Sequence, residues 1–311
     1  MPLSEFTLIE RFFNQQKVKK NTTTLGIGDD CALLSVPAGY ELAVTTDTMV
    51  ENVHFFAGSD PYQLGHKILA VNLSDLASMG ANPFSVTLAL TLPSIDENWL
   101  QAFAEGFFAL AERHSVDLIG GDTTSGPLTL TVQALGLVTS GLALKRSTAK
   151  PGDTICVTGY LGVAGLGLKI KQGYHCKQPE AALKRFNQPE PQVEIGQALV
   201  GIANACIDIS DGLTGDIGHI LQQSRVGACL DWEALPLSQA VKAYIEDTGD
   251  WAMPLTAGDD YELCFTVSPD KIKALNIPHT KIGVIESLPG LRLNKSGNIH
   301  PLEAKSFEHF T

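Results

Sequence analysis

The 311-residue chain is short of positive charge, with 22 Lys and Arg against 34 Asp and Glu and a net charge of −12. No Lys/Arg run is present, so the basic footprint that nucleic acid or an anionic membrane surface requires is missing. No apolar run is long enough to span a bilayer, and Met1-Pro2-Leu3-Ser4-Glu5 lacks a signal-peptide pattern, which predicts a soluble, cytoplasmic protein with no membrane partner. The six cysteines (31, 156, 176, 206, 229 and 264) form no CxxC and pair with no His, so they read as reduced thiols rather than disulfides or metal ligands. HExxH and GxSxG are missing and no Cys–His pair suggests a nucleophile; covalent catalysis has no obvious candidate, and no dedicated base stands out. The 12-residue calcium loop with acids at alternate positions is missing as well.

What the chain has is Asp beside Gly. The clusters are Gly28-Asp29-Asp30, Thr45-Thr46-Asp47, Asp75, Gly120-Gly121-Asp122, Asp208-Ile209-Ser210-Asp211-Gly212 and Gly258-Asp259-Asp260. Carboxylates next to Gly belong to turns and element ends, where a small backbone lets oxygens converge. Several of them in one cleft repel unless a hard cation sits between. Mg²⁺ fits, being oxygen-loving and usually held by one or two carboxylates plus substrate phosphates. An acidic protein still binds ATP when bridging metals offset the phosphate charge.

A length of 311 residues with 44% hydrophobic and 18% charged side chains predicts two ordered domains. Glu41 to Asp47 reads as a strand delivering Asp47 at its tip. Asp60-Pro61 is a cap with a first-turn proline, and Gly80 stops that helix. Ser85 to Leu92 is a strand, Glu97 to His114 a helix, Val116 to Ile119 a short strand and Leu128 to Val138 a longer one. Thr139-Ser140-Gly141 and Lys150-Pro151-Gly152-Asp153 break the chain. A second α/β half restarts with the strand Thr154 to Thr158 and a Gly-rich helix start over 159–167. A polar, Pro-containing stretch over 172–191 follows, then a helix after Gly212 running to about Ser224, and strands at Leu263 to Val267 and Lys281 to Ile285.

Asp75 lies on the stripe of Leu64, Ile68, Val71 and Met79, so it must be paired, protonated or metal-bound, since a lone buried carboxylate is costly; a hydrogen bond to neighbouring backbone is the plain structural alternative. Gly26-Ile27-Gly28-Asp29-Asp30 fails the GxGxxG pattern at its third glycine, and Gly162 to Lys169 misses the Walker loop by one residue and a hydroxyl. A kinase without that loop neutralises phosphates by metals plus an occasional Arg or Lys. Arg146 is a candidate, or a solvated surface charge. His54 is a candidate or a satisfied structural imidazole. Asp208 or Ser210 caps a helix, a position that also suits phosphate. Asp259, Asp260 and Glu262 precede a strand in a run that repels itself unless solvated or engaged.

Taken in order, these motifs resemble the thiamine-monophosphate kinase family, which shares a superfamily with aminoimidazole-ribonucleotide synthetase. The resemblance rests on Gly26 to Asp30, Thr45 to Phe55, Asn72 to Ala81, Gly120 to Thr124, Arg146, Pro151 to Asp153, Asp208 to Leu213 and Gly258 to Leu263. It implies an α/β, two-domain aminoimidazole-ribonucleotide synthetase-like fold: an N-terminal domain (1–140) that binds ATP and Mg²⁺ and pairs with a second copy in an intersubunit β-barrel, and a C-terminal α/β domain (150–311). The implied activity is transfer of the ATP γ-phosphoryl group to thiamine monophosphate by a homodimer. Several Mg²⁺ ions would be held by Asp30, Thr45, Thr46, Asp47, Asp75, Asp122, Asp208 and Asp211. ATP would be met by Gly121, Asp122, Arg146 and Ser210, and thiamine monophosphate by His54, Glu262 and Phe307, where relatives tend to have Trp. Asp29, Asp259 and Asp260 are left as structural acids, and His114, where a Tyr is common, is unassigned. Two rival readings stand beside this one: a ribonucleotide cyclase of the same superfamily, and a non-catalytic metal- or nucleotide-binding protein.

Overall fold

The computed structural model describes residues 5–14, 16 and 22–304; Phe307 lies outside them. The chain divides into two compact units, Met1–Leu76 with Ala81–Gly141, and Ala77–Gly80 with Leu142–Thr311.

The first unit begins with the helical turn α1 (Glu5–Leu8), which runs on as a wide turn over Ile9–Phe13. A small ribbon follows, β1 (Thr23–Leu25) with β2 (Leu33–Leu34). The main sheet holds β3 (Tyr40–Val50), β4 (Asn82–Leu92), β5 (Asp117–Ser125) and β6 (Thr129–Thr139) in the order β3-β6-β4-β5. Its pairs are antiparallel except β4–β5, which is parallel. Helix α2 (Pro61–Ser78) starts where expected, with Asp60 Oδ1 accepting the Gln63 N–H at 3.0 Å. Helix α3 (Glu97–Arg113) is capped likewise by Asp96. The two helices cross so closely that a Cβ on Gly65 would lie 2.1 Å from the Phe103 carbonyl oxygen, and one on Gly106 only 1.9 Å from that of Tyr62. Only glycine permits such a crossing. Phe103 and Phe107 are fully buried beneath it.

Three local expectations differ from the structure. β3 does not end at Asp47 but runs to Val50, because β6 pairs with it residue for residue from Tyr40↔Thr139 to Val50↔Thr129. The Gly120-Gly121-Asp122 run is not a turn; it lies inside β5, which extends past Ile119 to Ser125 because β4 supplies a parallel partner through Leu92↔Ser125. In β3 the odd residues face inward and the even ones outward, so Thr46 projects from the opposite face to Thr45 and Asp47. Across that outer face lie Leu42 and Val44, 41% and 53% exposed. Among the described residues this sheet is an open four-stranded one.

The second unit carries a seven-stranded sheet built from β7 (Thr154–Val157), β8 (Ala205–Asp208), β9 (Gly227–Asp231), β10 (Leu263–Val267), β11 (Thr280–Glu286), β12 (Gly290–Lys295) and β13 (Asn298–Leu302). The order is β13-β12-β9-β11-β7-β10-β8, antiparallel except for β12–β9. Its helices are α4 (Val163–Lys171), α5 (Glu180–Asn187), α6 (Val193–Leu199), α7 (Leu213–Ser224), α8 (Gln239–Thr248) and α9 (Met253–Thr256). Helix α5 occupies the middle of the polar 172–191 stretch: Ala182 and Phe186, four apart, bury one narrow face. Ile155, Val157, Ile207, Leu213, Ile217 and Ile282 belong to the unit's main core. No helix among the described residues is long and apolar enough to cross a membrane.

Candidate functional site

Two groups of acids assemble in the first unit. The turn Gly28-Asp29-Asp30 and the strand run Gly120-Gly121-Asp122 line one cavity of about 690 Å³, which brings Asp30, Gly121 and Asp122 together. Asp29 Oδ1 accepts the Asp30 N–H at 2.9 Å and holds the turn. Gly121 is required by close approach: a Cβ there would sit 1.8 Å from the Leu88 carbonyl oxygen of β4.

The second group joins β3 to α2. The Thr45 hydroxyl donates to Asp75 Oδ2, and Asn72 Oδ1 accepts the Asp47 N–H at 3.2 Å. Asn72 in turn donates to the Ile68 carbonyl at 2.9 Å, so its orientation is set by the helix. Asp75 is half-buried, and the Thr45 hydroxyl of the sheet is one of its partners. Thr45, Asp47 and Asp75 thus present hard oxygen on one surface. Thr46, on the other face, has its hydroxyl near Gln133 Nε2 at 3.5 Å and could join them only through its backbone carbonyl.

His54 sits in the turn that follows β3. Its Nδ1 accepts the Val50 N–H at 3.0 Å, which assigns the neutral ring the tautomer with hydrogen on Nε2. The imidazole is therefore arranged to donate from Nε2.

In the second unit two acid-rich loops are laced backbone to backbone. The Asp259 N–H donates to the Ser210 carbonyl, and the Tyr261 N–H and Glu262 carbonyl pair with Ile209, all at 2.8 Å. Asp259 and Tyr261 take positive φ (67° and 49°) to do so, a conformation that side chains adopt only under constraint. Asp208 ends β8 and is buried, while Ser210 and Asp211 are half-buried at the N-terminal end of α7. Arg146 precedes β7 and packs with α7, its carbonyl accepting from Ser224 Oγ at 2.8 Å.

Asp216 was not singled out in the sequence, where it reads as an ordinary acid in the first turn of a helix. It is buried and accepts the Asp211 N–H at 3.1 Å. Burial, then the Asp211 carboxylate beside it, push its carboxyl up to about 7, against the pull of that N–H and of Arg146. Its role is to hold the loop that carries Ser210 and Asp211.

Glu262 is 1% exposed. Thr158 donates to its Oε2 at 2.5 Å, and Arg185 approaches its Oε1 at 2.8 Å. Burial raises its carboxyl, opposed first by Arg185. A Cβ on Gly159 would strike this carboxylate at 2.1 Å. Arg185, in the last turn of α5, is the basic residue missed in the sequence, because the helix lies in a polar stretch.

Asp260 is a structural acid. Its two carboxylate oxygens accept from the Gly162 and Ala164 N–H groups (2.5 and 3.0 Å) and so cap α4. Burial pushes its carboxyl up to about 7 from the ordinary 3.8. Between those values the native state keeps a proton the unfolded chain has released, so this group's contribution to stability falls as pH rises from 4 to 7. Asp260→Ala should destabilise the protein by about 2 kcal/mol, by stranding two helix N–H groups. It should also flatten the decline in melting temperature between pH 5 and 7.5; a variant with an unchanged slope would refute the assignment.

Oxygen donors dominate all these groups, and among the described residues no three acids, imidazoles or thiols converge tightly enough to hold an ion alone. That suits Mg²⁺, which completes its octahedron with water and substrate phosphate. Residues 28–138 match the AIR synthase related protein N-terminal domain, and residues 150–286 its C-terminal domain. The thiamine-monophosphate kinase of Salmonella typhimurium is 44% identical over 323 residues, covering 100% of this chain and 99% of that protein.

The chain belongs to the thiamine-monophosphate kinase family.

A solved structure of thiamine-monophosphate kinase from Stenotrophomonas maltophilia K279a is 42% identical, covers 96% of this chain and 99% of its own, and superimposes with a TM-score of 0.86. A second, AaThiL complexed with AMPPCP and TMP, is 28% identical with a TM-score of 0.81, covering 100% of this chain and 99% of that one. The fold is therefore the two-domain α/β, AIR synthase-like one expected. In the second unit Asp216 holds the loop of Asp211, and Thr158 and Arg185 hold Glu262.

Proposed function

We propose that this member of the thiamine-monophosphate kinase family moves the γ-phosphoryl group of ATP directly onto the phosphate of thiamine monophosphate, giving thiamine diphosphate and ADP. The observation that carries the reading is the 690 Å³ cavity lined by Asp30, Gly121 and Asp122. It is acidic where phosphates would lie, which makes sense only for a nucleotide that brings cations. The family match and the relative that holds AMPPCP, an ATP analogue, together with TMP support the same reading.

The transfer is in line. An oxygen of the acceptor phosphate, already ionised near neutral pH, forms the new P–O bond as the bond from the γ-phosphorus to ADP breaks. No side chain has to take a strong proton, which accords with the lack of a nucleophile or base. Mg²⁺, when bound, would supply the positive charge that offsets the two polyanions and the charge of the transition state. The chain's own part is positioning. Asp30, Asp47, Asp75, Asp122, Asp208 and Asp211, with Thr45 and the Thr46 carbonyl, hold the several ions. The Gly121 backbone, Asp122, Arg146 and Ser210 hold ATP. His54 Nε2–H donates to thiamine monophosphate. Glu262 meets that substrate too, reaching it by exchanging its Arg185 partner, and Phe307 borders the thiamine.

Residues 1–140 form the ATP, Mg²⁺ and dimerisation domain in this proposal, and 150–311 the C-terminal domain. The outward Leu42 and Val44 on β3 are the face that a second copy would cover to close an intersubunit barrel. The working compartment is the cytoplasm.

A coupled assay tests the reading. ADP should form only when thiamine monophosphate, ATP and Mg²⁺ are all present, with thiamine diphosphate as the product, and chelation by EDTA should abolish turnover. ADP formation driven instead by formylglycinamidine ribonucleotide would make the protein a cyclase, and metal binding without ADP under any acceptor would make it non-catalytic.

A further inference from the structure

The cavity of the first unit has a lining of two chemical kinds. One is the glycine and carboxylate group already assigned to phosphates. The other is apolar, Leu88, Leu90 and Leu118 of the sheet with Ile9 and Phe13 of the N-terminal helical turn. Glu10 and Asn14 of that same turn also line it, both exposed. A nucleotide likewise combines charged phosphates with a flat, largely apolar base. About 690 Å³ is within the range of roughly 300–1,000 Å³ usual for small-molecule sites.

The N-terminal turn is firmly attached where it lines this cavity. Phe12 and Phe13 are buried, and Phe13 meets Phe103 of α3 edge-on at 6.5 Å. Arg11 pairs with Glu97 at 2.6 Å. Gln16 clamps the edge of β5: its Oε1 accepts the Leu118 N–H at 2.6 Å, and its amide donates to the Val116 carbonyl. The apolar lining is thereby stapled to the strand that carries Gly121 and Asp122.

Glu10 and Asn14 are one helical turn apart, and Asn14 Nδ2 donates to Glu10 Oε2 at 2.7 Å. That bond commits one amide hydrogen and fixes which way the amide points. What remains is an acceptor-rich edge, the Glu10 Oε1 and Asn14 Oδ1 atoms, beside one spare N–H. Adenine offers the complement: two hydrogens on its exocyclic amine and ring nitrogens that accept. We infer that Glu10 and Asn14 recognise the exocyclic amine of the adenine, making the N-terminal turn the base-reading element of the ATP site. The inference rests on the assignment of this cavity to ATP.

The contact is charge-assisted, so losing it weakens binding by roughly 10- to 100-fold. Calorimetric titration with Mg²⁺-ADP and with Mg²⁺-purine riboside diphosphate, which lacks only the amine, reads it directly. The wild-type protein should bind the amine-free nucleotide at least roughly 10-fold more weakly. In Glu10→Ala and Asn14→Ala the two nucleotides should become nearly equal, while KM for thiamine monophosphate stays at its wild-type value. Both side chains are exposed, so melting temperature should hold. If Mg²⁺-ADP does not bind the wild-type protein, the ATP assignment itself falls. If ADP binds but the amine makes no difference, or the variants keep the wild-type ratio, or GDP binds more tightly than ADP, the inference falls and the ATP assignment stands.

Discussion

Asp47→Asn is expected to lower kcat by roughly a thousandfold, equivalent to about 4 kcal/mol of transition-state stabilisation, while the melting temperature barely moves. Asp47 lies mid-strand on the inward face of β3, two residues from Thr45, whose hydroxyl reaches Asp75. Two backbone ties hold Asp47 in the fold: the ladder pairing with Val132, and the N–H bond to Asn72. Asn preserves both and the side-chain volume. It removes only the negative charge, and charge is what an ion between two phosphates needs from the protein. Steady-state ADP production and a thermal melt on the same preparation decide the matter. Wild-type turnover would remove Asp47 from the metal-holding set, and a large loss of melting temperature would make its role structural. Because Asp47 does not line the cavity of Asp30 and Asp122, the loss should appear in kcat more than in the affinity for Mg²⁺-ADP.

Gly121→Ala should be the most damaging single methyl group in the first unit. Its Cβ would lie 1.8 Å from the Leu88 carbonyl oxygen and 2.8 Å from the Leu88 carbonyl carbon. Both are backbone atoms of the strand paired with β5, so relief requires the two strands to part. The register already skips a residue here, between Val86↔Leu118 and Thr87↔Gly120, leaving no slack. A destabilisation of about 4 kcal/mol or more follows, at the level reserved for such steric mechanisms. The neighbour provides the control. A Cβ on Gly120 would meet nothing closer than Thr87 Cγ2 at 4.0 Å, an ordinary contact, so Gly120→Ala should stay within about 1 kcal/mol of wild type. Urea denaturation of the two variants side by side measures this difference. Equal stabilities would mean that the β4–β5 pairing is not as close as described.

Much of this protein is written locally in its sequence. Asp60-Pro61 opens α2, and the observed Asp60 cap is the reason. Leu263–Val267 is a strand to the residue, because five apolar or β-branched side chains follow an acidic loop. The motifs of acids beside glycine resemble those of the family to which the chain belongs, and each is a short run of neighbouring residues. These features depend on side chains within one turn or one strand of each other, and such interactions survive reading in one dimension.

What only the tertiary structure decided depends on partners far along the chain. Asp47 lies inside its strand rather than at the tip because β6, more than eighty residues on, continues the ladder to Val50. Gly120-Gly121-Asp122 is strand rather than turn because β4 supplies the missing hydrogen bonds, and glycine there serves strand contact instead of chain reversal. Thr46 is separated from Thr45 and Asp47 by the two-residue period of that longer strand. Asp216 gained its meaning only when α7 folded back under the loop of Asp211, and Glu10 and Asn14 when Gln16 clamped the N-terminal turn to β5. Composition and spacing determined which chemistry this chain carries; backbone pairing and burial decided where each oxygen sits, because ladder bonds and desolvation are set by neighbours in space.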